Sequence, residues 1–406
     1  MRAPPLELGD IFRLHGPAYL TTFGDSLSHE QKQALRAIAV CRTATLGGHV
    51  EECDRCGYRK ISYCSCRNRH CPKCHGQARA RWLEQRAGEL LPVEYFHVVF
   101  TVPQLVAPLA LRNQRVVYGI LFRAAAETLL QIAADPKHLG ARVGFLAVLH
   151  TWGQNLHHHP HLHCVVPGGG IASDQRHWIS CRRQFLLPVK VLSRLFRAKF
   201  VAYLKTAFRE GKLGFHGELK SLGEKRTFFE WLAQVRETEW VVYAKPPFGG
   251  PRQVLKYLAR YTHRVAISNQ RLISLEDGRV TFRWKNYARA SEPATMTLKA
   301  EEFIRRFLLH VLPKGFVKIR HFGFLANRCR RDNVLLCRKL LAVSSTGPRD
   351  LVPQDSHSDE SEADRVDRCP RCKLGSMRML EILAPQADTS LLSGATPLRH
   401  FQMDTS

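Results

Sequence analysis

Short runs of apolar, β-branched and aromatic residues recur through the middle of the chain and predict strands of a sheet. The first two are Tyr95–Val102, which ends at Pro103, and Val143–Trp152. A third run, His159–Val166, places an apolar residue at every second position from Leu162 onward. Because successive side chains of a strand point to opposite faces, one face of this third strand is apolar and the other carries histidines.

Longer segments with helical periodicity separate and follow these strands. The pattern predicts helices at Ser28–Cys41, Gln77–Leu90, Val106–Ala134, Leu192–Glu210, Phe228–Arg236, Glu301–Val311 and Ala326–Leu341. Ser28 is a candidate N-cap. Further strands are expected at Trp240–Ala244 and Thr295–Leu298, and Glu276-Asp277-Gly278 predicts a hairpin turn. We therefore expect an α+β fold with a central antiparallel sheet flanked by helices, preceded by a Cys-rich module.

Composition adds a strong indication about partners. The chain has 406 residues, 45% of them hydrophobic, and a formal net charge of +26. Such a charge favours nucleic acid as the partner first and an anionic membrane surface second, and we expect no small-molecule substrate. The N-terminus lacks a signal-peptide core and there is no run of about 18 apolar residues, so we expect a cytoplasmic, DNA-associated protein with no membrane span.

Changes in composition along the chain suggest three parts. We predict N-terminal helices with a zinc-binding module over residues 1–90, a second domain over residues 91–343, and a tail over residues 344–406. The tail starts with an acidic, Ser-rich stretch, Asp355–Asp364, which is typical of a disordered linker. It also contains Cys369-Pro-Arg-Cys372, which is half of a metal site whose partner the sequence does not identify.

Most of the 13 cysteines lie in pairs, which in a chain without an export signal favours metal over disulfides. Two CxxC pairs separated by 14 residues have the spacing of a structural Zn²⁺ site, and they predict Cys53, Cys56, Cys71 and Cys74 as ligands. Neighbouring residues could substitute or build a second site: Cys64, Cys66, His49, His70 and His75. Many arginines and lysines surround these cysteines and suit a phosphate backbone.

Two further patterns suggest catalysis. His161 and His163 share one strand face, where two imidazoles can bind a metal ion. Pro251 opens a predicted helix to about His263, and its Tyr257 and Tyr261, four residues apart, lie on one helix face. A basic stripe of Lys256, Arg260 and Arg264 runs beside them and could contact DNA. Taken without the histidine strand, the two tyrosines would favour core packing.

The motif His161-Leu162-His163, the later YxxxY helix and the preceding Cys-rich module, in this order, resemble the two-tyrosine HUH transposases of rolling-circle insertion sequences. That group is related in mechanism to Helitrons and to plasmid replication and relaxase proteins. The resemblance covers roughly residues 10–340, and its most specific parts are the Cys-rich stretch, Thr151–Asn155 and Tyr257–Asn269. The tail lies outside it.

The resemblance implies a function. A tyrosine, Tyr257 or Tyr261, would attack single-stranded or hairpin DNA and form a 5′-phosphotyrosine. Mg²⁺ or Mn²⁺ on His161 and His163 would polarise the phosphate. His150, eleven residues before His161 as in three-histidine relaxases, is the expected third ligand. Its rivals are Gln154, His157 and His159. Three imidazoles would suit Mn²⁺ or Zn²⁺ better than Mg²⁺.

Three other functions stay open on the sequence. A plasmid rolling-circle replication initiator or relaxase would use the same chemistry for another purpose. A non-catalytic zinc-dependent DNA-binding protein would keep Tyr257 and Tyr261 in its core. A metallohydrolase would need carboxylate ligands, and Asp174 is the one acidic residue close to the histidine strand.

Overall fold

A computed structural model describes residues 5–74, 88–245, 266–286, 292–344 and 368–386. Their contacts divide the chain into two compact units. The Cys-rich unit comprises Met1–Cys74 together with Pro353–Ser406, and the sheet unit comprises His75–Val352. The C-terminal segment thus groups with the N-terminal residues, whereas the sequence suggested a separate tail.

The helices of the described residues are α1 (Leu8–Phe23), α2 (His29–Ala39), α3 (Ala107–Arg112), α4 (Gln114–Ala134), α5 (Val189–Arg209), α6 (Lys225–Glu237), α7 (Ala300–Leu308) and α8 (Arg330–Ser344). The strands are β1 (Gly48–Cys53), β2 (Arg59–Tyr63), β3 (Tyr95–Thr101), β4 (Gly144–Trp152), β5 (His158–Pro167), β6 (Gly169–Ile171), β7 (Trp178–Ser180), β8 (Val242–Lys245), β9 (Leu272–Glu276), β10 (Arg279–Asn286), β11 (Glu292–Lys299), β12 (Ile319–Gly323) and β13 (Met377–Leu383).

The Cys-rich unit combines a helix pair with a small sheet. Its helices α1 and α2 pack closely, since a Cβ at Gly16 would lie 2.9 Å from Leu35. Ser28 is confirmed as the N-cap of α2, where its hydroxyl accepts a hydrogen bond from the Gln31 amide and the Gln31 side chain accepts one from the Ser28 amide. The sheet has the order β13-β1-β2 and both pairings are antiparallel, so its edge strand β13 comes from the C-terminal segment.

A five-stranded sheet organises the sheet unit. Its order is β12-β4-β5-β3-β8, and every neighbouring pair is antiparallel. The predicted strands at β3, β4 and β5 are therefore confirmed, and they form the centre of the sheet. The edge strand β12 was not predicted, because Ile319–Gly323 mixes basic, aromatic and glycine residues without a clear apolar run.

One face of this sheet forms the main core. Leu162, Cys164 and Val166 of β5 are fully buried there, against a core to which α4, α5 and α6 contribute. Among the described helices, α4 is long and apolar enough to cross a membrane. About two thirds of it is buried inside the unit, so α4 behaves as a core helix.

The predicted long helix at Val106–Ala134 is interrupted at Asn113, which ends α3 and precedes α4. The Asn113 side chain accepts a hydrogen bond from the Gly214 amide at 2.7 Å and donates one to the Gly214 carbonyl at 3.0 Å. A contact distant in sequence therefore fixes this break, and a helical period cannot reveal it.

A second, three-stranded sheet has the order β11-β10-β9 and packs against α7 through Phe282 and Phe303. The predicted hairpin is confirmed. Asp277 and Gly278 join β9 to β10 with positive φ angles of 46° and 68°, as a two-residue type I′ turn requires.

Candidate metal centre on the central sheet

Three histidines lie together on the second face of the five-stranded sheet. His150 of β4 pairs directly with His161 of β5, and His163 lies two residues further along the same strand. The ligand nitrogens of the three rings all lie within 4.8 Å of one another. Because β5 alternates, Leu162 between them points into the main core, as its sequence pattern predicts. We call His150, His161 and His163 the histidine group.

Hydrogen bonds orient two of these rings. Nδ1 of His161 lies 2.7 Å from the His159 carbonyl, to which it can only donate, so its Nε2 carries the lone pair that a metal ion needs. Nδ1 of His163 lies 2.7 Å from Nε2 of His97. The ring of His150 stacks on Trp152 with centroids 4.7 Å apart.

His97 is a site residue that the sequence reasoning missed. It lies on β3, where it faces Val165 and sits diagonally from His163. Burial first, and then electrostatic interaction with Lys245 and with His161, lowers the pKa of His97 to about 3. The sequence contained a signal for this residue. Successive side chains of a strand point to opposite faces, so a strand at Tyr95–Val102 places His97 on the face opposite Phe96 and Val98.

The turn between β4 and β5 joins the two strands that carry His150 and His161. Two arginines donate to carbonyls of this turn: Arg271 to Gln154 at 2.5 Å and Arg306 to Asn155 at 3.2 Å. Nε2 of the buried His310 lies 3.1 Å from the Leu156 carbonyl. The polar segment Thr151–Asn155 is therefore anchored by bonds from distant parts of the sheet unit.

Acid should destabilise the sheet unit through His310. Burial first, and then nearby His158, lowers the pKa of His310 to about 3, far below its ordinary value of 6.5. The unfolded chain then binds more protons than the folded one below pH 6.5, so stability is lost as pH falls. Between pH 7 and pH 5 the titration of His310 should lower the free energy of unfolding by about 2 kcal/mol.

Calorimetric unfolding at pH 7 and pH 5 measures this effect. His310→Asn keeps a polar group near the Leu156 carbonyl but removes the titration, so its loss of stability over the same range should be smaller. An equal loss in the wild type and in this variant would contradict the assignment.

Of the other predicted site residues, Tyr257, Tyr261, Lys256, Arg260 and Arg264 lie outside the described residues. The rival ligands His157 and His159 are not members of the histidine group. Asp174 is also outside it, and pairs instead with His177 at 2.8 Å. The histidine group is thus built from imidazoles alone, a donor set that suits a transition metal or Zn²⁺.

Eight of the 13 cysteines lie in two groups of four, and the four ligands predicted for one site are divided between these groups. Cys71 and Cys74 lie with Cys41 and Cys66, and Cys53 and Cys56 lie with Cys369 and Cys372. The prediction from spacing combined the two CxxC motifs that are neighbours in sequence. The pairing of β13 with β1 instead brings the distant motif Cys369–Cys372 to Cys53 and Cys56. We call these the Cys41 group and the Cys53 group.

Comparison with known proteins adds family information. Residues 144–333 match the family model described as "Putative transposase", and residues 11–102 match the transposase zinc-binding domain. A Sinorhizobium fredii protein described as "Putative transposase y4qJ" is 55% identical over 379 residues, which cover 93% of this chain and 95% of that protein. The transposase for insertion sequence element IS801 from Pseudomonas savastanoi pv. phaseolicola is 27% identical over 78% of this chain and 75% of its own.

A search of solved structures finds the metal-free conjugative relaxase TrwC in complex with oriT DNA. It has 13% identity and a TM-score of 0.23, and it covers 60% of this chain and 71% of the relaxase.

Proposed function

Because the chain belongs to the IS91/IS801 family of transposases, we propose that it nicks and rejoins single-stranded DNA through a 5′-phosphotyrosine intermediate and so drives rolling-circle transposition. The observation that carries this proposal is the histidine group, in which His150, His161 and His163 converge on one sheet face. The net charge of +26 supports a nucleic acid as the substrate.

The histidine group fits a divalent cation. Three imidazoles have ligand atoms within 4.8 Å of one another, and hydrogen bonds orient His161 and His163. Mn²⁺ or Mg²⁺ bound there would polarise the scissile phosphate as a Lewis acid, and the imidazole donors favour Mn²⁺ of the two. In this proposal His150, His161 and His163 are the ligands and Trp152 holds the His150 ring in place.

The covalent step belongs to Tyr257 or Tyr261. The tyrosine oxygen forms a bond to phosphorus while the bond between phosphorus and the 3′ oxygen breaks. The phenolic proton ends on the departing oxygen, which leaves a 3′-hydroxyl on one DNA end and a phosphotyrosine on the other. No water is consumed, so the energy of the phosphodiester is retained for rejoining. Lys256, Arg260 and Arg264 would hold the strand.

A structural Zn²⁺ is proposed for the Cys41 group, all of whose members lie inside the matched zinc-binding domain. The sulfurs of Cys41 and Cys74, of Cys41 and Cys71, and of Cys66 and Cys74 are each 3.6 Å apart. Four thiolates around one Zn²⁺ at about 2.3 Å would have separations of this size. The predicted ligands Cys71 and Cys74 remain in this proposal, with Cys41 and Cys66 replacing Cys53 and Cys56.

The proposal is tested by incubating the protein with labelled single-stranded, hairpin and blunt duplex DNA in the presence of Mn²⁺ or Mg²⁺. We expect a labelled protein band on a denaturing gel after heat and detergent, from single strands and hairpins but not from blunt duplex. A chelator should abolish it. Cleavage without any covalent band, or a band that survives chelation at full intensity, would refute the mechanism.

His97 is expected to act as a positioning residue for His163. His97→Ala removes the partner of Nδ1 and should weaken binding of Mn²⁺ about 10- to 100-fold, the usual effect of losing such a partner. His97→Gln offers an amide oxygen to the same nitrogen and should restore part of the affinity. Titration calorimetry with Mn²⁺ measures both variants, and equal affinity in all three proteins would contradict the role.

A further inference from the structure

The Cys53 group joins two CxxC motifs that are distant in sequence, since Cys56 and Cys369 are separated by 313 positions. We propose that Cys53, Cys56, Cys369 and Cys372 form a second four-thiolate Zn²⁺ site, which fastens the C-terminal segment to the N-terminal part of the Cys-rich unit. This site is independent of DNA cleavage and of the Zn²⁺ proposed for the Cys41 group.

The two motifs have matching backbone turns. The Gly57 amide donates to the Cys53 carbonyl at 3.1 Å, and the Lys373 amide donates to the Cys369 carbonyl at 2.9 Å. In each motif the residue after the second cysteine has a positive φ, 63° at Gly57 and 59° at Lys373. Each turn therefore brings its own two sulfurs to the same side, and the two turns present their sulfurs to each other.

The sulfur distances fit a metal ion. Sγ of Cys53 lies 3.6 Å from Sγ of Cys372, and Sγ of Cys56 lies 3.7 Å from Sγ of Cys369. A disulfide bond needs about 2.05 Å, whereas the edge of a tetrahedron around Zn²⁺ with bonds of about 2.3 Å is about 3.8 Å. The four thiols are free and all lie within 4.8 Å of one another.

The residues next to the sulfurs stabilise a thiolate and leave room for it. The Gly375 amide donates to Sγ of Cys372 at 3.3 Å. A Cβ at position 375 would lie 2.5 Å from Sγ of Cys53, so only glycine leaves room for the sulfur. Asp54 links the two turns, because its carboxylate accepts from the Ser376 amide at 2.9 Å and its own amide donates to the Ser376 carbonyl at 3.1 Å.

Burial of apolar side chains does not explain why β13 stays on β1. Met379, Leu380 and Ile382 of β13 are 65%, 54% and 74% exposed. The ion pair between Arg378 and Asp54 spans 3.5 Å with the arginine largely exposed, so it contributes little. A strand of seven residues without a buried face needs another constraint, and four thiolates on one Zn²⁺ at its N-terminal end supply it.

The test is the zinc content and the backbone protection of the full-length protein. Cys369→Ser with Cys372→Ser should lower zinc by one equivalent per chain in elemental analysis. Hydrogen exchange at Met377–Leu383 should then speed up at least tenfold. Cys64→Ser is the matched control, because Cys64 is an exposed cysteine of the same unit and belongs to neither four-cysteine group. It should match the wild type in both measurements.

Two results would overturn the site: unchanged zinc content in the double variant, or unchanged protection of Met377–Leu383. If the double variant does not fold, cobalt replaces zinc in the wild-type protein and is counted by its absorption. Two cobalt ions per chain with tetrahedral thiolate absorption support the proposal, and one such ion per chain refutes it. Cobalt on the histidine group lacks thiolate charge transfer and is not counted.

Discussion

Replacing His161 with alanine is expected to lower the rate of DNA strand cleavage about a thousandfold while DNA affinity changes less than about twofold. The proposed metal ion stabilises charge on the phosphate by several kcal/mol, and each 1.4 kcal/mol changes the rate tenfold. Most of the binding energy should come from arginines and lysines, whose number the substitution leaves unchanged. His163→Ala should have the same effect, with a larger cost in stability because His163 is buried.

Single-turnover cleavage of a labelled strand with Mn²⁺ measures the rate, and filter binding in the same buffer measures the affinity. His138→Ala is the matched control, since His138 is an exposed histidine of the sheet unit outside the histidine group. A His161→Ala protein that cleaves at the rate of His138→Ala would show that the histidine group is not catalytic.

The sequence predicted the centre of the sheet unit because its strands carry their own signal. The runs at β3 and β4 are rich in apolar, β-branched and aromatic residues, and the alternation along β5 places His161 and His163 on one face. His150 was predicted as the third ligand on a different ground, because its spacing of eleven residues from His161 resembles that of three-histidine relaxases. The orienting contacts of these histidines were harder to foresee, because the His159 carbonyl and the His97 ring depend on strand register.

Prediction failed where distant segments meet. Spacing along the chain assigned Cys53, Cys56, Cys71 and Cys74 to one site, since a motif's nearest neighbour in sequence is the simplest partner. The antiparallel register of β1 and β13 instead places Met377 opposite Cys53, and so brings Cys369 and Cys372 to the first motif. Nothing local in Cys369-Pro-Arg-Cys372 indicates this, because the pairing spans more than 300 residues.

The largest effect is expected at the two tyrosines. Tyr257→Phe and Tyr261→Phe should each leave some nicking of single strands, whereas the double variant should leave no covalent adduct at all. In the proposed mechanism these two hydroxyls are the oxygens that attack phosphorus, so the metal centre without them should form no covalent link. Phenylalanine keeps the ring and its packing, so a loss of activity would not reflect a loss of stability.

The spacing of Tyr257 and Tyr261 on the predicted helix is the reason for expecting both to act as nucleophiles. Four residues of an α-helix correspond to about 6 Å of rise, which is roughly the distance between neighbouring phosphates, so either hydroxyl could reach the bound phosphate. Transposition should need both, because one tyrosine must hold the first DNA end while the other attacks the second. Each single variant should therefore nick DNA and yet fail to transpose it.

Mass spectrometry of a tryptic digest after the reaction identifies the attacked residue. Tyr243→Phe is the matched control, since Tyr243 is about half exposed on β8 of the sheet unit, and the control should form the adduct as the wild type does. If Tyr257 and Tyr261 serve only as core residues, all the phenylalanine variants will behave as the wild type. A DNA adduct on any residue other than these two would refute their assignment as nucleophiles, whatever the activity of the protein.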